Sequence, residues 1–203
     1  MKALRILVVV VATLAGALAI IGLLLPGELR VQRSTQIGAT PEQVYGYVAG
    51  FGRFNDWSPW ADLDPQARFV FSGPDQGPGA RMEWHSAVPE VGSGSQEVVA
   101  VVPGRSVSTR LVFDGQGEAV STMRLAPAGS GTRATWEFDM ALGMNPVNRW
   151  IGLIVDKSVG ADHARGLDRL KALVEAEAAA AAAAAKDAGL EEAAPAAPGP
   201  GVP

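Results

Sequence analysis

The chain has 203 residues, 48% of them hydrophobic and 19% charged, with a formal net charge of -4. It is too apolar for a disordered chain, and it lacks the basic excess of a nucleic-acid-wrapping fold. With no cysteine and two histidines, disulfides, thiolate metal sites, cysteine nucleophiles and all-histidine metal cages are excluded.

The charge is unevenly placed. From Glu175 onward there are five acids and one base, so residues 1–174 carry sixteen of each sign and are neutral. The acidity belongs to a tail, and the body has no electrostatic bias toward a charged partner.

Residues 1–26 come first. Ile6–Leu25 is a run of twenty residues without a charge, thirteen of them Leu, Ile or Val. As a helix it spans ~30 Å, the hydrocarbon thickness of a bilayer. Pro26-Gly27 ends it. A cleaved signal peptide would have a shorter core ending at small residues. The only such candidate, Ala17-Leu18-Ala19, is followed by six more apolar or glycine residues. The reading is therefore an uncleaved, single-pass anchor. The amino terminus, Lys2 and Arg5 precede the span, and Arg30 and Arg33 follow it. That asymmetry favours a cytoplasmic N-terminus and a body on the extracytoplasmic side.

The body, residues 27–175, opens with an alternating segment, Glu28–Gly38, read as a strand. Thr40-Pro41-Glu42-Gln43 then carries a capping threonine, a first-turn proline and the glutamine of a capping box. Val44, Tyr47, Val48 and Phe51 form the apolar face of the helix that follows. Trp57-Ser58-Pro59-Trp60 is a loop whose tryptophans either pin it to the core or roof a cavity, with Asp62 and Asp64 as turn formers. Period-2 segments follow between glycine turns. Phe69 and Phe71 alternate with Arg68 and Val70; Met82 and Trp84 with Arg81, Glu83 and His85. Gly92-Ser93-Gly94-Ser95 reads as a flexible turn before Gln96–Val102. Val107, Thr109, Leu111 and Phe113 form another apolar phase, then Glu118–Leu125. In Thr132–Met140, Ala134, Trp136 and Phe138 alternate with Arg133, Glu137 and Asp139. One apolar and one charged face predict an antiparallel sheet covered on one side, with Trp136 in the core.

Asn145-Pro146 begins a last helix that runs through Trp150, Ile151, Leu153, Ile154 and Val155 to Leu167, Leu170 and Val174. Gly160 and Gly166 mark a bend or a close backbone approach. Residues 176–203 form a low-complexity tail: an alanine run, Ala178–Ala185, prolongs the helix, and Ala193–Pro203 is expected to be disordered.

A strand, a helix, a run of antiparallel strands and a long C-terminal helix is the order of an α+β helix-grip fold. The chain also resembles a known family over about 28–175. The resemblance rests on Val31-Gln32-Arg33-Ser34 with Ala39-Thr40-Pro41-Glu42-Gln43-Val44, on Phe54-Asn55-Asp56-Trp57-Ser58-Pro59-Trp60, and on the Gly79–Trp84 strand. Gly92-Ser93-Gly94, Phe113-Asp114-Gly115-Gln116-Gly117, Trp136 and Gly143-Met144-Asn145-Pro146 add to it. These are similar to the SRPBCC or START-like superfamily, and within it to bacterial proteins labelled polyketide cyclase/dehydrase-like. The resemblance implies an antiparallel sheet wrapped around the C-terminal helix, with a cavity between them for a lipid, polyketide or other apolar ligand. Some members cyclise or dehydrate their ligand, and many only bind it.

The residues agree with such a pocket. Phe69, Phe71, Met82, Trp84, Phe113, Trp136 and Phe138 fall on apolar strand faces, Met144, Trp150 and Ile154 lead into the facing helix, and Trp57 and Trp60 are placed to roof it. Thr109 and Thr122 are the expected polar groups. His85 shares a strand face with Arg81 and Glu83, and His163 is read as solvated helix surface beside Asp162; neither is expected to be catalytic. There is no nucleophile elbow, phosphate loop or metal-ligand spacing. The expectation is a membrane-anchored domain that binds a small hydrophobic molecule, without metal, cofactor or nucleic acid. The alternatives are a cyclase or dehydratase of a polyketide-like substrate and a ligand-free interaction module.

Overall fold

The computed structural model describes residues 1–115 and 117–192; the expected disorder of Ala193–Pro203 lies outside the described residues. Helix α1 (Lys2–Leu24) leads into strand β1 (Glu28–Ile37). Helices α2 (Pro41–Val48) and α3 (Phe54–Trp57) follow. Then come β2 (Arg68–Ser72), β3 (Arg81–His85), β4 (Ser93–Val102), β5 (Ser106–Phe113), β6 (Gly117–Ala128) and β7 (Gly131–Ala141), and helix α4 (Pro146–Glu192) closes the chain.

The seven strands form one sheet in the order β1-β7-β6-β5-β4-β3-β2. Every pair is antiparallel, including β1 with β7, which runs in register from Glu28↔Ala141 to Ile37↔Thr132. A bulge in β4 between Val98 and Ala100 interrupts its pairing with β5, a device that bends a strand and increases its twist. The sheet curls around α4, an α+β helix-grip architecture with one face covered.

The local signals act as the residues demand. Thr40 Oγ1 accepts from the Gln43 amide at 3.4 Å, and the Gln43 side chain accepts from the Thr40 amide at 2.9 Å, so the capping box is complete. Val44, Val48 and Phe51 are buried, and α2 packs on β6, β7 and α4. The convex face of the sheet carries ion pairs, Arg30 with Asp139 at 2.7 Å and Arg124 with Glu137 at 2.9 Å. His85 lies exposed there. One turn expectation is corrected: Ser93-Gly94-Ser95 belongs to β4. Gly94 is needed there because a Cβ would lie 2.7 Å from the Trp84 ring.

The main core joins α2, the sheet and the later part of α4, where Leu167, Leu170 and Val174 are fully buried. Gly160 and Gly166 mark close approaches: a Cβ at Gly166 would meet the Trp136 ring at 2.8 Å, and one at Gly160 would meet the Arg33 guanidinium. Beyond the body the helix runs through the alanine run to Glu192. It is tied down by Glu177, which accepts from Arg53 Nη2 at 2.6 Å and from the Tyr47 hydroxyl at 2.7 Å. These two donors hold the exposed Glu177 carboxyl down at about 2. Among the described residues, α1 is the one helix long and apolar enough to cross a membrane, and Gly22 is its only buried residue.

Candidate functional site

Helix α4 does not cover the concave face evenly. It packs chiefly along β1, at one edge of the sheet. The inward side chains of β3 to β6 therefore face a space that the early part of α4 and the α2–α3 segment only wall off. The result is a cavity of about 690 Å³, within the range of small-molecule sites.

Nine of the thirteen expected lining residues border it: Trp57, Trp60, Phe69, Met82, Trp84, Thr109, Phe113, Trp136 and Phe138. The strands place them by period 2, and their aromatic rings hold one another. Trp57 and Trp60 meet Trp136 edge-on, with ring centroids 5.2 and 6.0 Å apart. Trp84 meets Phe113 in the same way at 5.8 Å. The Trp136 indole donates to Ser121 Oγ at 2.7 Å, and the Trp84 indole donates to the Val91 carbonyl at 3.2 Å, holding the β3–β4 loop. The tryptophan loop is secured from α4, where Arg169 donates to the Ser58 carbonyl at 3.1 Å and pairs with Asp62 at 2.5 Å. Asp62 is thus an ion-pair partner as well as a turn residue.

Four expected lining residues stand elsewhere. Phe71 is 52% exposed; β2 is the edge strand farthest from α4, so nothing covers its far end. Met144 is 75% exposed and Ile154 72%. Trp150 turns to α1, donating from Nε1 to the Leu18 carbonyl at 3.0 Å. On α4 it is Ile151, Gly152, Val155 and Val159 that face the cavity, because the helix is rotated relative to the expected phase. Thr122 lies on the other face of β6 against Ser108, at 3.1 Å. Its neighbour Ser121 faces the cavity, in phase with Ala119, Met123 and Leu125.

The largest correction concerns His163. It is 1% exposed and lines the cavity, with its ring stacked on Trp136 at 4.0 Å and an interplanar angle of 2°. Burial, with the Arg33 guanidinium adding to it, pushes the imidazole down to about 4, against the opposing pull of the Trp136 backbone carbonyl, which accepts from the ring and favours its charged form. At neutral pH it is uncharged. A legible signal existed: His163, Leu167, Leu170 and Val174 are spaced by four, three and four, one face of a helix. Gln96 is a second buried polar residue on the wall, its amide 3.9 Å from Met82 Sδ.

Two buried side-chain nitrogens among the described residues lack a hydrogen-bond partner, Trp57 Nε1 and His163 Nδ1. Both residues line the cavity. A buried orphan polar group is costly, and both nitrogens are buried behind the wall that their rings help to form. No group of three His, Asp or Glu side chains among the described residues is arranged to hold a metal ion.

The comparisons agree with this architecture. Residues 28–175 match the family model described as polyketide cyclase/dehydrase and lipid transport. No curated protein matches the chain. Among solved structures, the di-domain ARO/CYC StfQ from the steffimycin biosynthetic pathway is similar with a TM-score of 0.56 at 12% identity, over 75% of this chain and 52% of that one. Protein Ms6760 from Mycobacterium smegmatis is similar with a TM-score of 0.53 at 18% identity, over 73% of this chain and 92% of that one. Ara h 8.0201 has a TM-score of 0.50 at 10% identity, over 73% and 98%. At these identities the structures share the fold alone. The family match, spanning most of the chain, goes further: this protein belongs to the polyketide cyclase/dehydrase and lipid transport family.

Proposed function

We propose that this protein is a membrane-anchored START-like domain that binds a small hydrophobic ligand between the sheet and α4. The observation that carries the reading is the 690 Å³ cavity walled mainly by aromatic and aliphatic side chains. Polar side chains, Gln96, Thr109, Ser121, Glu90 and Asp162 among them, are a minority on this wall, which suits an uncharged or weakly polar ligand. The anchor is α1, whose exposed apolar surface costs free energy in water and is favourable in a bilayer. The charge asymmetry around it supports a body on the extracytoplasmic side.

Burial of ~200 Å² of apolar ligand surface contributes roughly 5 kcal/mol, and association costs take back part of it. The expected affinity is therefore micromolar or weaker unless polar groups on the wall, such as Thr109, Ser121 and Gln96, add to it. Four of the five tryptophans line the cavity, so intrinsic fluorescence reports on it directly. Titrating the full chain, in phosphatidylcholine vesicles, with fatty acids, isoprenoids and aromatic polyketides should change the emission saturably for at least one class. A flat response to every class would discard the binding reading and leave the interaction module.

One observation favours a second reading, an enzyme acting on a polyketide-like substrate. A neutral, buried imidazole with an unpartnered nitrogen on an apolar cavity wall is a group suited to proton transfer. On this reading His163→Gln keeps ligand binding and loses turnover of a polyketide substrate mimic. Undiminished turnover, or none in the parent protein, leaves the binding reading alone.

A further inference from the structure

The first turns of α4 are apolar on a side that nothing in the body covers. Met144, Val147, Ile151, Leu153 and Ile154 are all exposed. Val147, Trp150, Ile151 and Ile154 lie at i, i+3, i+4 and i+7, one stripe of the helix, and Trp150–Val155 is free of charge. Monomeric soluble domains rarely leave a contiguous surface of that kind bare.

The stripe does not stand alone. Helix α4 is fastened to α1. Arg149 Nη1 donates to the carbonyls of Leu23 and Leu25, at 2.6 and 3.0 Å. These carbonyls end α1, where helical partners are lacking. Gly22 lets the helices close up, since a Cβ there would lie 2.7 Å from Pro146 Cβ. Trp150 reaches the Leu18 carbonyl, six residues before the end of α1, about 9 Å along its axis. The apolar stripe therefore lies beside the last turns of α1, below its end.

We propose that Met144–Val155 docks into the lipid bilayer surface beside α1, and that the cavity wall it forms is where an apolar ligand passes between bilayer and protein. The inference rests on the reading of α1 as a membrane anchor. Given that anchor, the depth follows from the contacts: a segment about 9 Å below the end of a spanning helix lies in the interfacial layer, the depth at which amphipathic surface helices bury their apolar face. A tryptophan with a hydrogen-bonded N–H and an arginine whose head reaches the helix end are residues suited to that layer. The adjoining flank of the same segment, Gly152 and Val155, lines the cavity, and Ile151 stands at the border, exposed on one side and lining the cavity on the other. The other lining residues at this level, Leu29, Leu142 and Gly115, sit at the sheet end next to α1, as the pairings Glu28↔Ala141, Ala119↔Met140 and Phe113↔Gly117 require. The ligand class is thus a membrane-resident apolar molecule that need not cross water.

The absence of cysteine makes the test direct. Single cysteines replace Val147, Ile154, Val102 and Val10 in the full chain, each is spin-labelled, and the protein is reconstituted in vesicles of phosphatidylcholine with a minority of phosphatidylglycerol. Collision rates are read with oxygen and with a water-soluble nickel chelate present on both sides. Val102, exposed at the sheet end away from α1, is the aqueous reference, and Val10 reports the anchor. Labels at 147 and 154 should collide with the chelate several-fold less often than the label at 102, and with oxygen more often. Chelate access at 147 and 154 equal to that at 102, with 10 protected, overturns the docking and leaves the anchor standing. An aqueous label at 10 overturns the anchor and the docking with it. Dipolar broadening between labels at 154 at low protein density shows a second copy on the stripe, and this also overturns the proposal. Met144→Cys serves as the replacement should either α4 variant fail to fold.

Discussion

The two halves of α4 carry apolar residues at the same helical spacing and meet opposite surroundings. From His163 onward, Leu167, Leu170 and Val174 are sealed in the main core. Before it, Ile151 and Val155 wall a cavity while Val147, Trp150 and Ile154 face outward or toward α1. The cause is the placement of the helix on the sheet. Its later half is closed in by α2, β1 and β7, whereas its earlier half reaches the open end of the curl. An apolar helical stripe thus announces that something covers it and leaves open whether the cover is a core, a ligand or a membrane.

The largest effects are expected where the halves join and where the core is closed. Trp136 packs on His163 and Gly166, and Trp136→Ala should destabilise the domain by about 3–5 kcal/mol. Leu170→Ala, at a fully buried site, should cost about 2–5 kcal/mol. Denaturant midpoints measure both. A midpoint unchanged in either variant would mean that the later half is not the sealed core described.

Lowered pH should strain the same junction. His163 titrates at about 4 when folded, and an imidazole in an unfolded chain titrates near 6.5. Between these values the unfolded state binds more protons, so stability rises with pH there. The contribution is full above about pH 6.5, falls as pH drops through the window and levels off below about 4, with a ceiling of roughly 3 kcal/mol. The Glu177 contribution is lost only as pH falls from its ordinary value toward about 2, so midpoints at pH 7 and pH 5 isolate the histidine. His163→Phe should flatten that difference. An unaltered pH profile in the variant would assign the dependence to other groups.

The smallest effect is expected in the earlier half. Ile154 contributes little to the packed body, so Ile154→Ala in detergent should change the unfolding midpoint by ~0.5 kcal/mol or less. A loss comparable to that of Leu170→Ala would erase the distinction between the halves.

Much of this architecture follows from local chemistry. The uncharged apolar run writes α1, the Thr40–Gln43 pair writes the start of α2, and alternation sets the inward phase of Met82, Trp84, Trp136 and Phe138. These signals are readable because each depends on residues within one or two turns or strand repeats. Two site residues were readable by the same rules: the phase of Ala119, Met123 and Leu125 selects Ser121 over Thr122, and the spacing to Leu167 and Val174 puts His163 inside. Tertiary structure alone decided the rest. Alternation says that Phe69 and Phe71 share a face, but only the position of α4 along β1 covers one and leaves the other bare. Helical spacing groups Trp150 with Ile154, but only the crossing of α4 with α1 turns that stripe away from the cavity. Burial is a property of what lies opposite, and what lies opposite is set by contacts more than a hundred residues apart in the chain, such as Trp150 with Leu18.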